Sequence, residues 1–311
     1  MNESGIQWVV GVDAGGTRTR ARLAEAASGR VLGEGAGGPG NALSVAPDAL
    51  VRHLVDALRG AAPSGGAVAA VVGGFAGGGP GGGRERALLA LTAALSEAGL
   101  RAGHVEVRGD ADVAFAAGRG APADGLVLIA GTGAAGARVV DRRAVSAVDG
   151  DGWLLGDAGS GFWLGREALR AVLRGLDGRG PWTALAGPVG ELCGGLSKEH
   201  VVRYAYAAEP VRLASLSPVV VEVAGAGDVV ASGLLDRAAE ELGSTVRALK
   251  PRFGEPLVTT GGLLGPDGPL LGRLAARVAD LGLVPDPVPD GLGGAVALAR
   301  VAWGAGPAAG A

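Results

Sequence analysis

The sequence predicts an α/β protein of two domains, and three observations lead there. Short apolar runs of strand length, Gln7 to Val12 and Leu126 to Ala130, each stop at a turn rich in glycine and threonine. Segments with helical apolar spacing, such as Leu50, Leu54, Val55 and Leu58, follow them. The chain has 311 residues, about twice the roughly 150 of a typical domain, and each half opens with strand, glycine–threonine turn and strand. The domains are expected at 1–117 and 118–311, with the last helix, about 290–304, packing back on the first.

The elements read in order as follows. Gln7 to Val12, Arg18 to Leu23 and Arg30 to Leu32 form a β-meander, with Ser28-Gly29 at its second turn. A helix over Pro47 to Leu58 precedes a buried strand at Val68 to Val72. A helix over Arg84 to Ala98, a short strand at Val105 to Val107 and a helix over Ala111 to Ala117 complete the first half. The second half repeats the opening with strands at Leu126 to Ala130, Ala137 to Val140 and Ala144 to Val148. Helices are expected at Phe162 to Leu173, Glu199 to Ala208 and Val229 to Leu249. A strand at Pro256 to Thr260 and helices at Leu270 to Leu281 and Gly294 to Trp303 close the chain.

Composition narrows the function. Glycine (60) and proline (17) make up about a quarter of the chain, near the low-complexity range, yet the hydrophobic share of 48% is ample for a core. The net charge of −3 leaves no basic surplus for a nucleic-acid backbone. Cys193 is the only cysteine, so an intrachain disulfide or a cysteine-ligated cluster within one chain is excluded, which suits a reducing cytoplasm. His53, His104 and His200 lie far apart and read as structural or surface residues. The first residues lack the basic region of a signal peptide. The uncharged stretch from Gly60 to Gly83 is broken by Pro63 and Pro80 and is mostly glycine and alanine, so no membrane partner is expected.

Five motifs carry chemistry. In Asp13-Ala14-Gly15-Gly16-Thr17-Arg18-Thr19 the glycines let backbone N–H groups approach an anion, Thr17 and Thr19 add hydroxyls, and Asp13 suits Mg²⁺; a plain hairpin turn is the alternative. Gly131-Thr132-Gly133-Ala134-Ala135-Gly136 fits a dinucleotide fingerprint in spacing only, because a strand rather than a helix follows. Gly33 to Gly38 matches the same pattern by chance. A Walker A loop is excluded, since neither Lys198 nor Lys250 follows a glycine. Asp110, after Gly109 at a strand end, reads either as a helix N-cap or as a base in phosphoryl transfer. The run from Asp149 to Glu167 concentrates glycine, carboxylate and tryptophan, as a loop for a hydroxyl-rich ligand does. Gly261-Gly262, at the end of an apolar strand, lets a flat group lie against the backbone.

In this order the motifs resemble the sugar kinase, heat-shock ATPase and actin superfamily, and within it the BadF/BadG/BcrA/BcrD ATPase family with its N-acetylglucosamine kinases. The segment Gly152 to Glu167 is the most specific part. The resemblance implies two ribonuclease-H-like (actin-like ATPase) domains with a cleft between them for ATP and Mg²⁺. It implies Asp110 as the base that takes a proton from a sugar hydroxyl, usually the 6-hydroxyl. Gly15, Gly16, Thr17, Thr19, Gly131, Thr132 and Gly133 would hold the phosphates, Gly261 and Gly262 the adenosine, and Asp13 the metal. Asn41, Gly150, Asp151, Asp157 and Gly161 would line the sugar site with Asp110, and a homodimer is the common assembly.

Three departures bear on the sugar. Asp151 stands where the family often has tryptophan, with Trp153 displaced; Ala158 replaces an acidic residue; and Ala76 replaces a serine. An anionic Asp151 favours a free amine, which makes glucosamine the expected alternative to N-acetylglucosamine. Two other activities known for this fold are weaker fits. An activator of a 2-hydroxyacyl-CoA dehydratase needs two cysteines per subunit for its iron–sulfur cluster, and Cys193 is alone. A non-catalytic sugar sensor would not need Asp13, Asp110 and both phosphate loops.

Overall fold

Buried side chains alternate along β1 (Trp8–Ala14): Val10, Val12 and Ala14 join one apolar cluster and Val9 another. A strand apolar on both faces needs cover on both. In the computed structural model, which describes residues 7–79, 82–207 and 210–304, helices provide it. β1 pairs antiparallel with β2 (Thr19–Glu25), which pairs antiparallel with β3 (Val31–Gly37). On its other side β1 pairs parallel with β4 (Ala67–Phe75), and β4 pairs parallel with β5 (Arg101–Gly109). The order is β3-β2-β1-β4-β5. One face is covered by α1 (Pro47–Ala61) and α2 (Gly82–Glu97), through Leu50, Leu54, Leu58 and Leu91. The other carries α3 (Asp110–Ala116) and α11 (Leu292–Gly304), through Val113, Ala295, Val296 and Ala299.

The glycines of β3 explain a motif that looked accidental. Built Cβ atoms at Gly33, Gly35 and Gly37 would strike the carbonyl oxygens of Ala61, Ala57 and His53 in α1. Alternate positions on one strand face are glycine because the helix lies directly on them.

The second sheet has the order β10-β9-β6-β7-β8. Its strands are β6 (Gly125–Ala130), β7 (Ala134–Val140), β8 (Arg143–Asp149), β9 (Leu257–Thr260) and β10 (Pro285–Pro287). β6 and β9 are parallel, as are β9 and β10. Counted from the first strand of each sheet, the two orders are the same. The core holds Phe162, Trp163, Leu164 and Val172 of α4 (Gly161–Leu176), Leu234 and Leu242 of α9 (Val229–Ala248), and Leu274 of α10 (Leu271–Val278). The starts of α4 and α9 are capped by side chains: Ser160 accepts from Trp163 N–H at 3.1 Å, and Asp228 from Ala231 N–H at 2.8 Å.

Of the described residues, the chain divides into two compact units: 7–124 with 139–144 and 290–304, and 125–138 with 145–289. Several elements differ from the sequence expectation. β5 is nine residues rather than three, because pairing with β4 extends to Arg101. Helices α5 (Ala186–Cys193), α7 (Pro210–Ala214) and α8 (Ser217–Gly225), and strand β10, were not expected. The helix expected over Leu270 to Leu281 is α10 followed by a 3₁₀ turn at Ala279–Leu281. The Gly60-to-Gly83 stretch contains β4. Ala208, the expected end of α6 (Lys198–Ala207), lies outside the described residues, as do Pro80 and Gly81 of the glycine-rich loop.

Candidate active site

Pairing in the first unit brings three strand ends level: Ala14 lies beside Phe75, and Phe75 beside Gly109. Carboxylates at such ends face the ligand side of an α/β sheet. Asp13 and Asp110 stand there. Asp13 Oδ2 accepts from Arg20 Nη2 at 3.2 Å and from Gly291 N–H at 3.3 Å, which leaves Oδ1 as the oxygen neither donor engages. Asp110 Oδ1 accepts from Ala111 N–H at 2.9 Å. Burial pushes the Asp110 carboxyl up to about 6, opposed by that N–H and reinforced by the charges of Asp13 and Asp112. Burial also raises Asp13, with Arg20 opposing and Asp290 adding to the rise.

The loop after β1 is tight: Gly15 N–H donates to Arg18 O at 2.9 Å, and Gly16, Thr17 and Arg18 are exposed. Its chain neighbours aside, no atom of the described residues lies within 4 Å of a Cβ built at Gly16, so the space beside that backbone is open among them. Thr19, expected beside a phosphate, is fully buried under Gly40, and its hydroxyl has no hydrogen-bond partner among the described residues. Asn41 is held at the same edge. Gly40 N–H reaches Gly15 O at 2.8 Å, Ala42 N–H reaches Ala76 O at 2.9 Å, and Ala76 N–H reaches Ala14 O at 2.9 Å. The Asn41 Oδ1 accepts from Leu43 and Ser44 N–H at 2.9 and 3.1 Å, which fixes its loop.

In the second unit, β6 ends in Gly131-Thr132-Gly133, and α4 begins against it. Gly161 N–H donates to Gly131 O at 2.8 Å and Phe162 N–H to Thr132 O at 3.1 Å. A Cβ at Gly133 would fall 2.8 Å from the Asp157 carboxylate, whose Oδ1 accepts from Ala134 N–H at 3.0 Å. Burial raises the Asp157 carboxyl, Ala134 N–H opposes it, and the charges of Asp149 and Asp151 add to the rise. Gly261 has φ of +96° and sits on Ala130 O, where any side chain would collide. Register puts Thr260 beside Ile129, so the Gly131 and Gly261 turns are neighbours. Gly150 and the exposed Asp151 open the loop that leads to Asp157.

Each unit thus gathers its own part of the expected residues: Asp13, Gly15, Gly16, Thr17, Asn41 and Asp110 in the first, and the remainder, Thr19 aside, in the second. Sequence reasoning missed Arg20 and Asp290, which flank Asp13, and the structural use of Asp149. Asp149 accepts backbone N–H groups from Gly150, Asp157 and Ala158 at 2.8, 2.6 and 2.9 Å. A signal existed for Arg20, which sits opposite Asp13 once the hairpin register is drawn; Asp290 is distant in sequence and left none.

Oxygen donors on carboxylates, with open glycine backbone beside them, fit Mg²⁺ shared between protein and phosphates. Among the described residues no three His, Cys, Asp or Glu side chains form a metal cluster, so the protein alone offers a partial shell. No described helix is long and apolar enough to cross a membrane.

Two sheets of one strand order, each opening on a strand, a glycine–threonine turn and a second strand, define an α/β protein of the actin-like ATPase fold. A crystal structure from Chromobacterium violaceum, provisionally named an N-acetylglucosamine kinase, superposes with a TM-score of 0.73 at 26% identity over 94% of this chain and 99% of that one. The chain belongs to the BadF/BadG/BcrA/BcrD ATPase family, whose model matches residues 10–282. It is 32% identical over 185 residues to N-acetyl-D-glucosamine kinase of Dictyostelium discoideum, covering 56% of this chain and 57% of that protein. It is 26% identical over 282 residues to glucosamine kinase GspK of Vibrio cholerae, covering 88% and 87%. The chain therefore spans little more than half the length of the Dictyostelium relative it matches.

Proposed function

We propose that the chain is an ATP-dependent amino-sugar kinase that phosphorylates N-acetylglucosamine or glucosamine at the 6-hydroxyl. The observation that carries this reading is Asp110, a half-buried carboxyl raised to about 6 at the carboxyl end of a parallel strand, with the charge of Asp13 acting on it. A base of that pKa is ionised near neutral pH yet takes a proton more readily than an exposed carboxylate. Asp110 accepts the proton of the sugar hydroxyl as its oxygen attacks the γ-phosphorus; the bond to the leaving ADP oxygen breaks in line. Gly15, Gly16 and Thr17 offer donors to the phosphates, with Thr19 supporting their loop from beneath. Gly131, Thr132 and Gly133 do the same from the second unit, and Gly261 and Gly262 take the adenosine. Asp13 would hold Mg²⁺, which when bound neutralises charge on the phosphates.

Asn41, Gly150, Asp151, Asp157 and Gly161 line the sugar in this reading. Asp151 and Asp157 favour a ligand bearing a protonated amine, which argues for glucosamine, and the likeness to a glucosamine kinase supports it. Asp151→Trp is then expected to move the kcat/KM ratio toward N-acetylglucosamine; an unchanged ratio rejects the specificity role. A homodimer is the assembly expected in solution, and light scattering measures it. The chemistry is tested by Asp110→Asn, which should lower kcat by roughly 10²-fold or more with folding intact. Sugar phosphorylation by that variant at the unaltered rate would overturn the assignment.

A further inference from the structure

Arg20 stands just past the first phosphate loop, beside Asp13, and the kinase reading gives it no task. On β2 it stands directly opposite Asp13 of β1. Its guanidinium is shared: Nη2 lies 3.2 Å from Asp13 Oδ2, and Nη1 lies 2.5 Å from Asp290 Oδ2. Its Nε is buried without a hydrogen-bond partner among the described residues, so the side chain is held by the two carboxylates. Asp290 in turn receives Leu292 N–H at 2.8 Å on its other oxygen, and the adjoining Gly291 N–H reaches Asp13 Oδ2. One oxygen of Asp13 is therefore consumed twice within the protein. Asp290 acts electrostatically on Asp13, and Asp13 on Asp110, so Asp13 feels a negative charge from one side and exerts one on the other.

Asp13 and Asp290 share one guanidinium, and a carboxylate pair of that kind would attract a divalent cation if no positive charge offset it. Arg20 supplies that charge. We propose that Arg20 is a positioning residue that keeps the metal site incomplete in the free protein, by withholding one oxygen of Asp13 and neutralising Asp290, so that a divalent cation binds well only together with the nucleotide's phosphates. Mg²⁺ keeps several waters and is commonly bound through one or two carboxylates plus phosphate oxygens, which matches the single Asp13 oxygen left over. A free protein loaded with metal would present a filled shell to the incoming ATP–metal complex. Arg20 prevents that competition. The inference rests on the kinase reading for its purpose, but its physical content concerns the free protein alone.

The test is a Mn²⁺ titration of the nucleotide-free, sugar-free protein, with free Mn²⁺ read by electron paramagnetic resonance. Arg20→Met should bind Mn²⁺ about tenfold tighter than the unaltered chain or better, since a neighbouring positive charge is removed from a partly buried site. Arg20→Lys keeps the charge and should stay close to the unaltered chain. Asp13→Asn in the Arg20→Met background should abolish the gain. Should Arg20→Met not fold, as judged by circular dichroism, Arg20→Gln takes its place with the same expected gain. Affinity no tighter in the folded neutral variant overturns the proposal. A chain that binds Mn²⁺ as described but phosphorylates no sugar would reject the kinase reading and leave this inference standing.

Discussion

The proposed base, Asp110, carries an electrostatic cost to stability. Its folded-state pKa of about 6 lies above the roughly 3.9 of an unfolded aspartate. Between those values the folded chain holds a proton that the unfolded chain has lost. Stability therefore falls as pH rises through this window, and the full cost is present above about pH 6. Asp110→Asn removes it. That variant is expected to be more stable than the unaltered chain at pH 7.5, by about 1–3 kcal/mol. The gap should close near pH 4. Thermal melts at the two pH values check this, and an equal Tm difference at both would contradict the assigned shift. The sign for catalysis is opposite: the base must be ionised, so kcat/KM is expected to fall about tenfold per unit below pH 6. A pH profile flat to pH 5 would count against Asp110 as the base. Asp110 was legible in the sequence as a strand-end carboxylate; its competing reading as an N-cap is corrected by the structure, in which Gly109 is the N-cap and Asp110 the first residue of α3. Arg20 and Asp290 were not legible as partners, because 270 residues separate them and only the fold makes them meet.

At the scale of elements, close packing makes the sharper predictions. Gly35 lies under α1, with Ala57 O and Ala61 N against it. Gly35→Val is expected to cost roughly 1–3 kcal/mol by overpacking, read by denaturant unfolding, because backbone rather than a flexible side chain occupies the space. A neutral result would show that α1 can ride outward. Ser160→Ala removes the N-cap of α4 and should cost about 1 kcal/mol. Because that helix start also touches the Gly131 turn, ATP affinity should weaken with it. Elements with strong periodicity were readable: α1, α9 and the two opening meanders. α8 was not, since Pro218-Val219-Val220-Val221 is β-branched and lacks a polar face, so propensity and period disagree. β10 was hidden by its two prolines, which an edge strand tolerates. The amino-terminal part of β5 is polar and exposed, and becomes strand only by pairing with β4.

For the whole molecule, the two sheets share one strand order although the two halves show no evident sequence similarity. Sheet order follows from which apolar strands must be buried and from the hand of their crossovers, and neither requires identical residues. The glycine count divides on the same lines. Gly33, Gly35 and Gly37 serve helix packing, Gly261 serves backbone conformation, and Gly16 and Gly262 border space that no atom of the described residues fills. The most direct measurement is ADP release by the purified chain with ATP and Mg²⁺ against hexoses, amino sugars and N-acetylated sugars, run in parallel with Asp110→Asn. The account predicts turnover with glucosamine or N-acetylglucosamine well above the neutral hexoses, and its loss in the variant. ADP release that is indifferent to every sugar, or equal in Asp110→Asn, would contradict it.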